Sequence, residues 1–266
     1  MTYRQFTSQE LFCMAKIAHK KAMYGIPDGF EMLSEDEKPL AQAGVLDGLL
    51  AKQIVKMDID GKTVLSDPSY QEMLAAICDC EACLTVNYQF GHDRAEDVVF
   101  WKTETGLLRA DVIDEHFVFV SEDALGLKSY LSTISLSSGA FNGKKSATIP
   151  QIALAKAKRA VMDGKKDDAK RALLQNGAGD LADVILSGLE ENADYLGLLL
   201  MVNKPDEKAP QQVAFTGTEG ILLALSDTVL NYRNCTVFSP CSENDVTNRI
   251  QSFLEQLLAS GQEVLR

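Results

Sequence analysis

The sequence predicts an α+β fold in which helices flank a central antiparallel sheet built from two pseudo-symmetric halves. Runs rich in Val, Phe, Leu and Tyr follow one another after short turns, which leaves no room for helical crossovers and implies antiparallel pairing. Helices are marked by capping boxes, and the second half repeats the element order of the first. With 266 residues, 46% of them apolar and 24% charged, the composition is that of a globular protein and excludes collagen, coiled coil and disorder for most of the chain.

The first helix is predicted to begin at Thr7, because Thr7-Ser-Gln-Glu10 forms a capping box. Gly25 and Pro27 are expected to end it. A second capping box, Ser34-Glu-Asp-Glu37, predicts a shorter helix, and residues 45–54 predict another.

A β-hairpin and a helix follow. Asp60-Gly61 separates residues 56–59 from residues 62–65 and predicts a hairpin with a two-residue turn. Asp67-Pro68 predicts the start of the next helix, since proline suits the first helical position. Its buried side is predicted to carry Tyr70, Met73, Leu74 and Ile77.

Strands and a helix complete the first half. The strands are predicted over residues 83–90, 97–103, 106–112 and 116–120, and the helix from Ser121 to about residue 134. Residues 135–150, rich in Ser, Gly and Ala, predict a linker. We expect halves 1–143 and 144–266 that together form one compact unit.

The second half predicts helices over 151–162, 166–174 and 180–189, then strands over 195–203, 212–216, 220–225 and 229–238. A capping box from Ser242 to Asp245 opens the last helix. Its buried stripe is predicted to hold Val246, Ile250, Phe253, Leu254, Leu257 and Leu258. The segment from Val98 resembles the segment from Val213, which predicts that Gly106 and Gly220 lie in equivalent turns.

Six cysteines are too few for a disulfide scaffold in a chain of this size. Three of them, Cys78, Cys80 and Cys83, cluster where a helix is predicted to run into a strand. Cys80 and Cys83 have the spacing of half a zinc site, but no second pair completes four ligands. We expect buried thiols and no metal, with a metal or redox role for these cysteines as the open alternative.

No motif for catalysis or cofactor binding is found. The sequence lacks a nucleophile elbow, a glycine-rich phosphate loop, a zinc-protease helix and an EF-hand loop. The three histidines, His19, His92 and His116, are expected in a solvated helix, in a turn and at the start of a strand. We therefore predict no catalytic, cofactor-binding or metal-binding residues, no cofactor and no enzymatic activity.

The charge distribution disfavours nucleic acid as a partner. The net charge is −12, and an acidic surface repels phosphate backbones. Residues 144–171 hold nine basic against three acidic residues, which we interpret as a solvated face, with a patch for an acidic partner as the alternative.

Residues 34–65 are predicted to form a helix, a turn, a second helix and a hairpin, which is the order of a winged helix. A DNA-binding regulator is therefore the alternative function.

The compartment follows from the N-terminal sequence and from the apolar runs. The N-terminus has no secretory leader, and the longest strongly apolar run, residues 196–202, is too short to span a bilayer. A cytoplasmic protein without membrane insertion is expected.

Over nearly its full length the chain resembles the EspG family, the cytosolic chaperones of type VII (ESX) secretion substrates. The resemblance lies in the helical N-terminus, in Leu40-Ala-Gln-Ala-Gly44-Val-Leu before a short hairpin, in a helix followed by antiparallel strands, and in a second half of similar order. It implies a non-enzymatic chaperone that keeps a helical substrate, such as a PE/PPE-like helical hairpin, soluble for export. No partner-contacting residue can be transferred, and homodimerisation is left open.

Overall fold

The structure, a computed structural model, describes residues 4–20, 22–91, 94–104, 106–122, 127, 129–130, 145–190, 196–204, 211–218 and 221–259. The first half contains β1 (Arg4–Thr7), α1 (Ser8–Ile17), α2 (Lys38–Ala51), β2 (Val55–Met57), β3 (Thr63–Leu65), α3 (Pro68–Cys78), β4 (Ala82–Phe90), β5 (Arg94–Lys102), β6 (Leu107–Ile113) and β7 (His116–Glu122). The second half contains β8 (Ala147–Pro150), α4 (Gln151–Met162), α5 (Lys166–Gln175), a 3-10 turn (Gly179–Leu181), α6 (Ala182–Glu190), β9 (Leu196–Asn203), β10 (Gln211–Thr218), β11 (Ile221–Leu230), β12 (Arg233–Cys241) and α7 (Glu243–Ala259).

In the part of the chain that the structure describes, ten strands form one antiparallel sheet in the order β1-β7-β6-β5-β4-β9-β10-β11-β12-β8. Each half supplies five strands in the same relative order, and the halves meet where β4 pairs with β9. The α+β prediction and the repeated order of the two halves are thereby confirmed. The expected equivalence of Gly106 and Gly220 is not tested, because Gly220 lies outside the described residues.

The two faces of the sheet are covered differently. On one face, which we call the bundle face, α1–α3 pack on the strands of the first half and α4–α6 on those of the second. On the opposite face, one core unites both halves under α7 and the helical residues Leu127 and Tyr130. Phe100 and Phe215, which match in the internal repeat, both lie in that shared core.

Helix starts follow the local sequence. In α1, the backbone N–H of Glu10 donates to Thr7 Oγ1 at 3.1 Å, and the N–H of Thr7 donates to the Glu10 carboxylate at 3.0 Å. Asp67 caps α3, and Ser242 and Asp245 form the reciprocal pair that opens α7. These predicted starts are confirmed, as is the burial of Val246, Ile250 and Phe253; the side chains of Leu254, Leu257 and Leu258 lie outside the described part.

Two helix predictions were wrong. The first helix ends at Ile17, not at Gly25, because His19 takes a left-handed conformation (φ 56°) and the Lys20 N–H closes the last turn onto the Ala15 carbonyl. Residues 45–54 are not a separate helix, since α2 runs unbroken through Gly44. Residues 34–65, all of which the structure describes, therefore lack the helix–turn–helix that the winged-helix alternative requires.

Four turn and boundary predictions also need correction. The β2–β3 turn spans residues 58–62, because the Asp58 carboxylate accepts from two backbone N–H groups within it. Strand β11 continues through Asp227 and turns at Asn231-Tyr232, since residues 226–228 pair with β12. Residues 147–150 of the predicted linker form β8, and Ser121 belongs to β7 instead of starting a helix. The predicted helix and linker otherwise lie mostly outside the described residues.

Residues 22–30, which we call the cover segment, lie between α1 and α2 and cover part of the bundle face. The Trp101 indole N–H donates to the Tyr24 carbonyl at 2.6 Å. Gly25 (φ 72°) packs so closely that a Cβ there would overlap Cys83 Sγ and stand 2.8 Å from Val99 Cγ1. The segment therefore seals the strands of the first half as part of its core, to which Ile26 and Phe30 belong.

Candidate functional site

A cleft of about 550 Å³ lies on the bundle face, at the centre of the sheet. Its floor crosses the junction between the two halves, because Leu199 of β9 lies opposite Asn87 of β4 on one side and Ala214 of β10 on the other. Directly opposed residues share a face, so the register continues the floor to Leu225 on β11. The helical wall is formed by α4 and α6, through Leu154, Ile185, Gly188 and Leu189.

The cleft is apolar in the middle and polar at its ends. At the end belonging to the first half, the Asn87 amide donates to the Asp97 carboxylate at 2.6 Å. At the other end, Thr236 lines the cleft and its hydroxyl donates to the exposed Asp227 at 3.0 Å. An apolar centre with a polar rim is the usual anatomy of a protein-binding surface.

Leucine, isoleucine, alanine and glycine residues dominate the lining. Among the described lining residues, the ionisable side chains are those of Asp97 and Tyr88. Asp97 already accepts the Asn87 hydrogen bond, and Tyr88 is almost fully buried. The arrangement is suited to burying apolar surface of a ligand.

The clustered cysteines are buried, as predicted from the sequence. Cys78 is the last residue of α3, and Cys83 lies in β4. Desolvation by burial raises the pKa of Cys78 to about 11 and that of Cys80 to about 12, and it also raises the pKa of Cys83. These thiols are protonated at neutral pH and hence weak nucleophiles. In the part of the chain that the structure describes, no group of three or more His, Cys, Asp or Glu residues is placed to hold a metal ion. That this cysteine cluster binds no metal stays a prediction.

Each described histidine lies at a turn. His19 follows the end of α1 and is exposed, which corrects its predicted place within the helix. His116 begins β7 as predicted, with Nδ1 2.8 Å from the Asp114 carbonyl oxygen. His92 lies outside the described residues.

The basic segment lies on the outer surface of α4 and α5. Lys156, Lys158 and Arg159 are exposed, and Lys166 and Lys170 form ion pairs with Glu190 and Asp183 of α6. This is consistent with the solvated face expected from the sequence. Among the described helices, none combines the length and the apolarity needed to cross a membrane.

Sequence reasoning missed the residues of the cleft. The available signal was a difference between the halves: Gly197, Ala214 and Thr216 are all smaller than the first-half residues that match them in the repeat. Recognising this difference requires that β4 be aligned with β9 and β5 with β10. The short sequence match around Val98 and Val213 aligns β5 with β10 but not β4 with β9.

No protein-family model matches the sequence, and no curated protein matches it. The structure is similar to that of the type VII secretion system chaperone EspG5 of Mycobacterium tuberculosis, solved in complex with a PE25–PPE41 dimer. The similarity covers 96% of this chain and 96% of that chain, with a TM-score of 0.52 and 10% sequence identity. The resemblance drawn from the sequence is thereby confirmed at the level of the fold.

Proposed function

We propose that this protein is a non-enzymatic chaperone that binds a helical substrate of a type VII secretion system in the cytoplasm. The observation that carries the proposal is the combination of an end-to-end fold similarity to a chaperone solved with its PE–PPE partner and an open apolar cleft at the centre of the sheet. The cleft is the part of the described surface where an apolar segment of a partner would be buried.

The physical role follows from the cleft. A helical export substrate exposes an apolar face that would otherwise aggregate, and covering it removes apolar area from water at about 25 cal/mol per Å². The exposed carboxylates of Asp97 and Asp227 flank the apolar floor. These carboxylates favour a partner with basic residues beside its apolar segment. They contribute more to the orientation of the bound partner than to its binding affinity.

Co-purification from the native cell tests the proposal. A tagged full-length chain is expected to retain a small helical secreted protein at about one-to-one stoichiometry, identified by mass spectrometry. Leu199→Asp places a charge on the cleft floor and is expected to reduce retention at least about thirtyfold, as for a binding hot spot. Leu174→Asp, at a partly exposed leucine on α5, is the matched control and is expected to retain the partner.

Three results would contradict the proposal: recovery of DNA, recovery of no protein, or equal retention by Leu199→Asp and the wild type. Salt-dependent DNA binding measured in parallel identifies a nucleic-acid binder, since its affinity falls steeply as salt rises. Light scattering of the free and bound protein shows whether two copies associate when the cleft is empty.

A further inference from the structure

A second cavity, of about 240 Å³, lies in the helical layer of the first half, between α1, the cover segment and α2. We call it the α1–α2 cavity, and its described lining residues all differ from those of the cleft. Its apolar lining consists of Phe12, Ala15, Ala22, Met23 and Phe30. Protein interiors leave few voids larger than one water molecule, and this volume equals that of about eight waters in the liquid. The cavity therefore has room for a small organic molecule.

The polar part of the lining is cationic. Two lysines line the cavity, and Lys20 is already paired with the Asp79 carboxylate. The Lys16 ammonium instead donates to the Gln42 side-chain oxygen at 3.3 Å, beyond the usual range for an N–H donor. In the described part of the chain, Lys16 thus has an amide and no carboxylate as its hydrogen-bond partner. Its charge is available to an anionic group at the cavity.

The remaining polar group of the lining is the Cys13 thiol. Burial raises the pKa of Cys13, so the thiol is neutral at physiological pH and packs as a small apolar group. The cavity thus combines an apolar interior with one available cation. A ligand that matches it has an apolar body and one negative charge.

We propose that the α1–α2 cavity binds a small monocarboxylate, with its alkyl chain against Phe12, Met23 and Phe30 and its carboxylate on the Lys16 ammonium. The volume is below the ~300–1,000 Å³ of sites for drug-sized ligands, which favours a chain of about eight carbons. Because the protein carries a net charge of −12, its surface repels anions in general. The local cation therefore determines which end of the ligand stays at Lys16. This site and its ligand class are independent of the chaperone function proposed above.

Calorimetric titration of the full-length chain with octanoate and with octanol separates the charge from the alkyl chain. The wild type is expected to bind octanoate about tenfold more tightly, because a hydrogen bond between charged groups is stronger than one to a hydroxyl. Lys16→Met keeps an apolar stem and removes the charge, so it is expected to bind the two ligands about equally. Lys158→Met, at an exposed lysine of α4, is the matched control and is expected to keep the preference.

Nuclear magnetic resonance of isotope-labelled methionine methyl groups locates the ligand in the wild type. Met23 lines the cavity, whereas Met32 is 95% exposed. Octanoate is expected to shift the Met23 signal, which Met23→Leu identifies by its loss, and to leave the Met32 signal in place. This measurement needs no variant at Lys16, so a folding defect in Lys16→Met does not affect it.

The proposal is overturned if octanoate does not bind, if octanol binds the wild type as tightly, or if the preference survives Lys16→Met. It is also overturned if octanoate leaves the Met23 signal unchanged. Octanoate binding that Leu199→Asp abolishes places the ligand in the cleft of the sheet and contradicts the proposal in the same way. The co-purification experiment above decides the chaperone function separately, so either proposal can fail while the other stands.

Discussion

Gly25→Ala tests whether the cover segment is a packed part of the core. Gly25 has φ 72°, where a residue with a Cβ costs roughly 1–2 kcal/mol. The new methyl group would overlap Cys83 Sγ and stand 2.8 Å from Val99 Cγ1, and overpacking of this kind costs about 1–3 kcal/mol. Together the two effects predict a loss of about 3 kcal/mol in the free energy of unfolding.

The loss is measurable as a drop in melting temperature of about 6–12 °C, since 1 kcal/mol shifts Tm by ~2–4 °C in a chain of this size. Trp101, the single tryptophan and fully buried, reports unfolding by fluorescence. Gly61→Ala is the matched control: Gly61 has φ 76° but no atom near its missing Cβ, so only the backbone cost of about 1–2 kcal/mol applies.

Cys83→Ala in the Gly25→Ala background separates packing from backbone strain. Removing the sulfur that the new methyl meets is expected to recover about 1 kcal/mol relative to the sum of the single changes. If Gly25→Ala costs no more than Gly61→Ala and shows no coupling to Cys83, the cover segment does not pack as described.

Three further predictions concern a hydrogen bond, a turn and the thiols. Trp101→Phe leaves the Tyr24 carbonyl without its hydrogen-bond donor. It is expected to lower the free energy of unfolding, measured by circular dichroism, by about 1–3 kcal/mol; unchanged stability would contradict the role of this bond. Tyr232→Gly is expected to raise stability by about 0.5–1 kcal/mol, because the fully exposed Tyr232 has φ 60°; a decrease in Tm would show that the tyrosine ring is held by packing. Cys78 and Cys80 are expected to resist iodoacetamide at pH 7.5 until urea unfolds the chain. Burial raises their pKa values from 9.0 to about 11 and about 12, so their contribution to stability is complete below pH 9 and is lost as pH rises through those values. The urea midpoint is expected to fall less steeply above pH 9 in the double alanine variant, and elemental analysis of the wild type is expected to find less than one zinc per chain.

The sequence by itself determined the features that depend on residues close together in the chain. The starts of α1, α3 and α7 follow from capping side chains within three residues of the bonds they make. The antiparallel sheet follows from strands joined by connections too short for a crossover. The burial of the cysteine cluster follows from its place where α3 runs into β4.

Local sequence was misleading where a distant partner overrides it. Residues 226–228 have turn-forming character, yet they lie within β11, because Asp227 pairs across the sheet with Thr236. The first helix ends early at Ile17, and the chain after it is held by Trp101, more than seventy residues away. Such contacts contribute free energy that no local window contains.

Only the tertiary structure decided the cleft. Its floor exists because β4 of one half pairs with β9 of the other, which brings Asn87 opposite Leu199. Its wall comes from Leu154 and Ile185, on two helices that are separate in the chain. The apolar side chains of the cleft have no distinctive chemistry, since residues of the same kinds fill the core elsewhere. A cleft made of ordinary apolar residues becomes recognisable only when the packing shows which of them are left uncovered.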